Sequence, residues 1–145
     1  MIQRAKSGSV TVDKKIIGQI DHGFVILLGV TNSDEETNAD YLADKISNLR
    51  VFNDENEKMN LSIQDVSGSA LVISQFTLCG DTRKGRRPSF IHAAPPEKGN
   101  VLYEYFMAQL KAKGVPVESG EFGAMMDVAV VNDGPVTFVL NSKNP

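Results

Sequence analysis

Two nearly continuous apolar runs, residues 23–30 and 70–73, constrain the fold of this 145-residue chain more than any other feature. Both runs are rich in aliphatic residues, and Gly68 and Gly80 bound the second, which is typical of strands that are covered on both faces. The second run is expected to continue to Leu78 and to end before Gly80. A sheet with such strands at its centre needs layers on both sides, so the sequence predicts an α/β fold.

Chemistry is expected where the second run ends. Ser74, Gln75 and Thr77 interrupt the run at the point where a strand emerges from the core, and a polar group there is costly unless it is paired. One interpretation is a cleft lined by hydroxyls, an amide and backbone N–H groups. The other is an ordinary strand end whose polar side chains bond to neighbouring backbone, and the pattern alone leaves both open.

Strands and helices alternate around these runs. Residues 3–20 predict a hairpin that turns at 13–15. Ser33 and Glu36 have the spacing of a capping box, which predicts a helix over residues 34–49. A second helix should begin at Pro95-Pro96 and end at Gly114. Its inner face is expected to consist of Val101, Leu102, Tyr105, Phe106 and Leu110.

The end of the chain predicts three further strands, at 115–118, 127–131 and 136–140. Between the last two lies Asn132-Asp133-Gly134-Pro135, whose residues fit a tight turn. The order of elements predicts a single domain over residues 1–145, with a mixed and partly curled, barrel-like sheet and two main helices.

The composition excludes several classes of protein. A formal charge of −3 argues against non-specific coating of nucleic acid, because that binding depends on phosphate neutralisation. No apolar run approaches the roughly 20 residues that span a bilayer, and no signal peptide is evident, so we expect a cytoplasmic protein without a membrane partner. One cysteine and two histidines offer no zinc-ligand spacing, and the sequence predicts neither a metal nor a cofactor.

Positive charge is concentrated in Arg83-Lys84-Gly85-Arg86-Arg87, which holds four of the 15 basic residues. This segment lies in a loop expected over residues 80–95. Loops of that length in compact domains are usually functional or disordered. The segment is therefore either a local basic patch or a solvated surface loop.

No familiar catalytic set can be found by spacing. The sequence contains no evident nucleophile–histidine–acid triad and no glycine-rich phosphate loop after a strand. His22 and His92 are more typical of surface residues, and Cys79 of a small packing residue, than of catalytic groups. What remains is the set of hydrogen-bond donors at the strand end, together with the Gly134-Pro135 turn.

Two segments together resemble the signature motifs of the D-aminoacyl-tRNA deacylase family, also called D-tyrosyl-tRNA deacylases. They are Ser74-Gln75-Phe76-Thr77-Leu78 and Asn132-Asp133-Gly134-Pro135-Val136-Thr137. Other segments are similar to the family in the same order, among them Gln3-Arg4, the basic loop and Phe122-Gly123-Ala124-Met125-Met126. The resemblance extends over essentially the whole chain.

The resemblance implies a homodimer with two active sites at the subunit interface, and a fold like that of D-tyrosyl-tRNA deacylase. It implies hydrolysis of the ester between a D-amino acid and the 3′-terminal adenosine of tRNA. A cis Gly134-Pro135 bond would reach into the partner's pocket, where backbone carbonyls would collide with an L side chain but accept a D-residue or glycine. Arg4 would orient that turn, and mischarged glycyl-tRNA is a further candidate substrate.

The same resemblance suggests roles at the strand end. The backbone N–H groups of Phe76 and Thr77 are candidates for stabilising an oxyanion, with Ser74 and Gln75 completing the catalytic segment. The Thr77 hydroxyl is expected to position groups rather than to attack, because the sequence assigns it no base, and the 2′-hydroxyl of the tRNA ribose would activate water. Phe122 and Met126 either line the substrate pocket or belong to the core.

The basic side chains of Arg83, Lys84, Arg86 and Arg87 are expected to contact the acceptor-stem backbone without reading its sequence. An alternative is a nucleic-acid-binding module of the same fold without hydrolysis, as eukaryotic relatives associated with DNA replication origins suggest. A net-acidic chain without a basic tail argues against it, so no DNA partner is expected. An animal-type paralogue acting on mischarged L-amino acids is disfavoured, because that group departs from Ser-Gln-Phe-Thr.

Overall fold

The computed structural model describes residues 1–143 and contains, within that range, eight strands, two α-helices and one short 3-10 helix. In chain order these elements are β1 (Ile2–Val12), β2 (Lys15–Ile20), β3 (Gly23–Leu28), α1 (Glu36–Asn48), β4 (Phe52–Asn53), β5 (Met59–Leu61), β6 (Ser69–Ser74), the 3-10 helix (Phe76–Cys79), α2 (Pro96–Ala112), β7 (Val117–Ser119) and β8 (Asp127–Phe138). No helix of the described residues is long and apolar enough to cross a membrane.

Six of the strands form one mixed sheet in the order β2-β1-β3-β6-β7, and β8 pairs with β1. β1 is antiparallel to β2, β3 and β8, whereas β3, β6 and β7 are parallel to one another. The sheet curls until its two ends meet. A Cβ atom built on Gly18 of β2 would lie only 2.7 Å from the carbonyl oxygen of Ser119 in β7. The predicted mixed, barrel-like sheet with two main helices is confirmed.

Two apolar clusters cover the two faces of the sheet. The larger cluster lies between the sheet and both helices, and the smaller one fills the inside of the curl. Successive residues of β3 enter opposite clusters, since Phe24 and Ile26 belong to the larger and Val25 to the smaller. All three side chains are at most 1% exposed. This double burial explains why the sequence of β3 is continuously apolar instead of alternating.

β6 ends at Ser74, four residues before the predicted end at Leu78. The Gln75 N–H still donates to the Leu28 carbonyl oxygen at 2.8 Å, and the chain then turns into the 3-10 helix. Gly29 makes this turn sterically feasible, because a Cβ atom there would lie 3.0 Å from the Cβ of Leu78. The prediction of a strand through Leu78 is therefore wrong, and the polar residues that follow Ser74 lie on a helical turn.

The cap of α1 and the inner face of α2 differ from the prediction. Glu35, not Ser33, caps α1, and its N–H donates to the side-chain oxygen of Asn38 at 2.8 Å. Helix α2 has the predicted bounds, but Val101 is 63% exposed and does not belong to the inner face. Tyr103 is buried instead, and its hydroxyl donates to the Val72 carbonyl oxygen of β6 at 2.9 Å, which satisfies the polar group in the core.

β8 is a single strand where the sequence predicted two strands and a tight turn. Residues 127–132 and 137–138 pair with the same strand β1, with register shifts between Gln3 and Ala5 and between Ala5 and Ser7, so long-range pairing overrides the local turn pattern. The residues between them leave the register without ending the strand. The Gly134-Pro135 segment is therefore an excursion within β8, away from its register with β1, and not the tip of a hairpin.

Candidate active site

Two adjacent backbone N–H groups at the start of the 3-10 helix have no acceptor within residues 1–143. They belong to Phe76 and Thr77, and neither donates a hydrogen bond to any group of residues 1–143. The first amides of a helix have no intrahelical partner, so these two N–H groups are left unpaired where β6 ends and the 3-10 helix begins. The next bond, from the Leu78 N–H to the Gln75 carbonyl oxygen at 3.2 Å, closes the turn behind them. The pair can bind an oxygen atom that carries negative charge.

The side chains of this segment are accessible from solvent. The Gln75 amide donates to the Thr77 hydroxyl oxygen. The Phe76 ring is 58% exposed and packs edge-on against Phe90 of the long loop, with ring centroids 5.0 Å apart. An amide that donates to a hydroxyl cannot take up its proton, so this contact orients the Thr77 hydroxyl without activating it as a nucleophile.

The second motif projects from β8 where its pairing with β1 is interrupted. Gln3 is in register with Thr137 and Ala5 with Asn132, so one residue of β1 faces four of β8. Gly134 and Pro135 are exposed in this excursion, and the peptide bond between them is cis. Because Gly134 and Pro135 are exposed, the backbone carbonyl groups of this excursion are accessible to a molecule that binds there.

Arg4 is the one residue of β1 that faces the excursion, and it holds the excursion from within. Its side chain is 6% exposed. The Nε atom donates to the Asp133 carbonyl oxygen at 3.0 Å and lies 3.5 Å from the carboxylate of the same residue. The Nη1 atom donates to the Val51 carbonyl oxygen at 2.7 Å and to the Asn53 side chain at 3.2 Å. The guanidinium group thus fixes the excursion to β4.

The two motifs are separated within one chain. Ser74 lies on β6, whereas the excursion lies on β8, and β3 and β1 run between them. Three inter-strand spacings correspond to roughly 14 Å along the sheet. One chain therefore presents the N–H pair and the Gly134-Pro135 excursion at different places on its surface.

Phe122 and Met126 are partly buried and pack against the two core clusters. The Phe122 ring packs on Tyr103 with centroids 6.0 Å apart, and a Cβ atom on Gly99 would lie 3.4 Å from it. Met126 packs against the smaller cluster, to which Ile73 belongs. Both side chains are partly buried, so each has atoms left for contact with a ligand near the end of β6.

The basic segment forms a closed lobe. Reciprocal backbone hydrogen bonds between Asp81 and Ser89, at 2.8 and 2.9 Å, join its two ends. Arg83 forms a bidentate pair with the Asp81 carboxylate at 2.9 and 2.6 Å, and this pair holds the pKa of Asp81 well below its usual range. Lys84, Arg86 and Arg87 are exposed and form no ion pair with the rest of residues 1–143. Three of the four positive charges are available to a ligand.

Of the remaining reactive residues, Cys79 is the last residue of the 3-10 helix, and His22 directly precedes β3. Burial raises the pKa of the Cys79 thiol, the Asp34 carboxylate raises it further, and the sulfur donates to the Val30 carbonyl oxygen at 3.5 Å. His22 packs edge-on against Phe52. Residues 1–143 contain no group of three histidine, cysteine or acidic side chains able to hold a metal ion.

Sequence reasoning missed those residues that help to hold the excursion but are distant from Arg4 in the chain. Val51 and Asn53 are 47 and 49 positions away from Arg4, and no local pattern connects them. Asn132 was noted only as part of a motif. Its side chain binds Val136 and Thr137 across the excursion, a role that its place four and five residues before them could have indicated.

Residues 1–141 match the model of the D-Tyr-tRNA(Tyr) deacylase family, and the chain belongs to that family. In this chain the family fold is a nearly closed mixed sheet, and the segment that follows β6 carries the two unpaired N–H groups. Among individual proteins, the chain is 58% identical to a D-aminoacyl-tRNA deacylase of Koribacter versatilis, over 99% of this chain and 96% of that protein. It is also 58% identical to a D-aminoacyl-tRNA deacylase of an Exiguobacterium species, over 97% and 95% of the two chains.

The fold is shared with a solved structure described as the c-Myc DNA Unwinding Element Binding Protein. The two chains are 38% identical, with a TM-score of 0.87 over 93% of this chain and 92% of that one. The likeness confirms the architecture, and the name of that protein describes it as binding a DNA element.

Proposed function

We propose that this protein hydrolyses the ester bond of D-aminoacyl-tRNA and releases the free D-amino acid and tRNA. The observation that carries the proposal is 54–58% identity, over nearly the whole chain, to relatives named D-aminoacyl-tRNA deacylase. The protein is accordingly a hydrolase, and tRNA is part of its substrate. Its expected compartment is the cytoplasm, and mischarged glycyl-tRNA is a second candidate substrate.

The free N–H groups of Phe76 and Thr77 support a mechanism without a protein nucleophile. Water attacks the ester carbonyl carbon, and the two N–H groups stabilise the oxyanion that forms, each worth about 3–4 kcal/mol in comparable sites. The bond to the ribose 3′-oxygen then breaks, and that oxygen takes up the proton that the water gives up. In this scheme the ribose 2′-hydroxyl activates the water, and Ser74, Gln75 and Thr77 hold the geometry.

Substitution of Thr77 by alanine separates positioning from covalent catalysis. We expect turnover of D-Tyr-tRNA within about tenfold of the parent, because one hydrogen bond is lost while the backbone N–H remains. Single-turnover deacylation is the measurement, and Thr37→Ala on the surface of α1 is the control. Loss of nearly all activity in a folded Thr77→Ala protein, together with an acyl-enzyme trapped on the parent protein, would instead identify the hydroxyl as the nucleophile.

Chirality would be read by a second subunit. The N–H pair and the Gly134-Pro135 excursion are three strands apart in one chain, so a pocket that uses both requires the partner's Gly134 and Pro135. The exposed Phe76, Leu78 and Val131 side chains provide apolar surface near the two motifs for such a dimer. Backbone carbonyls of the excursion would then exclude an L side chain and leave room for a D-residue, with Phe122 and Met126 bordering the substrate.

The direct test compares deacylation of D-Tyr-tRNA and L-Tyr-tRNA by the purified protein. Rapid loss of the D-ester alone is expected, from a species with twice the 15.8 kDa mass of the chain. A nucleic-acid-binding module, for which the DNA-unwinding-element protein of the same fold is the argument, would bind D-Tyr-tRNA and leave it intact. Stable D-Tyr-tRNA in the presence of the folded protein would overturn the proposed activity.

The basic lobe is proposed to bind the acceptor-stem backbone of tRNA. Replacing Lys84, Arg86 and Arg87 by serine removes the three unpaired charges. We expect weaker binding and a slope of log K against log salt that is shallower by about 2–3, since each lost phosphate contact lowers it by nearly one. Lys14→Ser/Lys15→Ser in the exposed β1–β2 turn is the charge control. A slope equal to that of the parent protein would refute the contact.

A further inference from the structure

We propose that Asn132 is a positioning residue that sets the orientation of the Gly134-Pro135 excursion and thereby the selectivity for D-esters. This inference rests on the proposed function, in which the excursion excludes L side chains. Asn132 precedes the two residues that would meet the substrate and is the last residue of β8 in register with β1 before the pairing breaks.

We call the place where Asn132 faces Val136 and Thr137 the neck of the excursion. The Asn132 side chain closes this neck with two hydrogen bonds. The Val136 N–H donates to the Asn132 Oδ1 atom at 2.8 Å, and the Asn132 Nδ2 atom donates to the Thr137 Oγ1 atom at 2.9 Å. Val136 has no partner in the β1–β8 register, so this amide oxygen takes the place of a strand carbonyl. Gln3 reaches the same Thr137 hydroxyl at 3.4 Å from β1.

Arg4 and Asn132 hold the excursion in complementary ways. Arg4 binds the carbonyl oxygen of Asp133 from inside the protein, and Asn132 binds Val136 and Thr137 across the neck. Gly134 and Pro135 are the two residues left between these contacts. Their backbone direction is therefore determined by groups on both sides.

Close packing makes the excursion sensitive to small movements of the neck. A Cβ atom on Gly134 would lie 2.7 Å from the Val136 Cγ2 atom and 3.2 Å from the Arg4 Nη2 atom. Val136, which Asn132 fixes, is thus packed directly against Gly134. If the neck opens, Val136 moves and the carbonyl groups near Gly134 turn with it. Exclusion by collision depends on such directions to within a fraction of an ångström.

The experiment compares the ratio of kcat/KM for D-Tyr-tRNA to that for L-Tyr-tRNA. Asn132→Leu keeps the size of the side chain and removes both bonds, and we expect the ratio to fall about tenfold or more. Asn132→Asp keeps an acceptor for the Val136 N–H and should recover most of the ratio. Since a ratio measured on one sample does not depend on its folded fraction, a merely destabilising role would leave it unchanged. The same substitution on α1, Asn48→Leu, is the matched control.

Gly134→Ala distinguishes failure of this inference from failure of the proposed function. A parent-like ratio in Asn132→Leu, together with a changed ratio in Gly134→Ala, would overturn the role of Asn132 alone. Parent-like ratios in both would overturn the chiral filter and the inference with it. Asn132→Ala and hydrogen exchange of the Val136 amide replace Asn132→Leu if that variant does not fold. Faster exchange with a reduced ratio is the expected result, and exchange and ratio equal to the parent's would refute the proposal.

Discussion

Alanine at Gly134 is expected to lower D-Tyr-tRNA deacylation, or its preference over L-Tyr-tRNA, by about 100-fold, the scale of a misplacement of about 1 Å in an active site. The new methyl group has no space, because the ideal Cβ position is 2.7 Å from the Val136 Cγ2 atom and 3.1 Å from the Val136 nitrogen. The φ angle of +133° also belongs to a region that L side chains rarely adopt. The excursion must therefore change its shape to accept the residue.

The matched control for this substitution is Gly114→Ala at the end of α2. Gly114 also has a positive φ, of +87°, but nothing lies within 4 Å of its Cβ position. We expect it to cost about 1 kcal/mol of stability and to leave the D-to-L ratio unchanged. Steady-state deacylation of both esters and thermal unfolding measure the two effects. Equal behaviour of the two alanine variants would remove the excursion from the proposed site.

Substitution of Arg4 by methionine is expected to cost about 2–3 kcal/mol of folding stability, because the buried guanidinium group donates hydrogen bonds to three acceptors. It leaves the half-buried Asp133 carboxylate without its cation and the Val51 carbonyl oxygen without its donor. Denaturant unfolding measures the stability, and the surviving folded protein should also lose selectivity, because the excursion loses its contact with β4.

Arg4→Lys and Asp133→Asn test the cause of that loss. Lysine keeps the charge, but its single ammonium group cannot reach both the Asp133 and the Val51 carbonyl oxygens as the guanidinium fork does, so rescue should be partial at most. Asp133→Asn keeps the backbone acceptor and removes the carboxylate, and we expect a smaller effect than that of Arg4→Met. Full rescue by lysine would mean that charge alone, and not the fork geometry, holds the excursion.

The proposals differ in what they require of the second subunit. Oxyanion stabilisation by the Phe76 and Thr77 N–H groups needs one chain, because both groups lie on the same turn. Exclusion of L-esters needs two chains, since the excursion lies three strands from that turn. A monomeric variant would thus be expected to lose selectivity first, which makes the D-to-L ratio the most informative measurement on this protein.

Local sequence signals predicted the elements whose conformation depends on neighbouring residues. The apolar run of β3, the apolar run of β6 up to Ser74, the β1–β2 hairpin, and the proline start and glycine stop of α2 were correctly placed, because burial on two faces and helix capping are visible in the sequence itself. The candidate site segments were also found from sequence, as two motifs whose resemblance pointed to the family that the chain belongs to.

The tertiary structure decided what depends on contacts distant in sequence. Pairing with β1 made β8 one strand despite the turn residues at 132–135, because a ladder of long-range hydrogen bonds outweighs a local turn preference. The approach of the chain to Gly29 ended β6 at Ser74 and left two N–H groups free. The partners of Arg4 come from β4 and β8, far away in the chain. Sequence thus determined which residues take part, and packing determined where they point, because direction is set by neighbours that the chain meets only when it is folded.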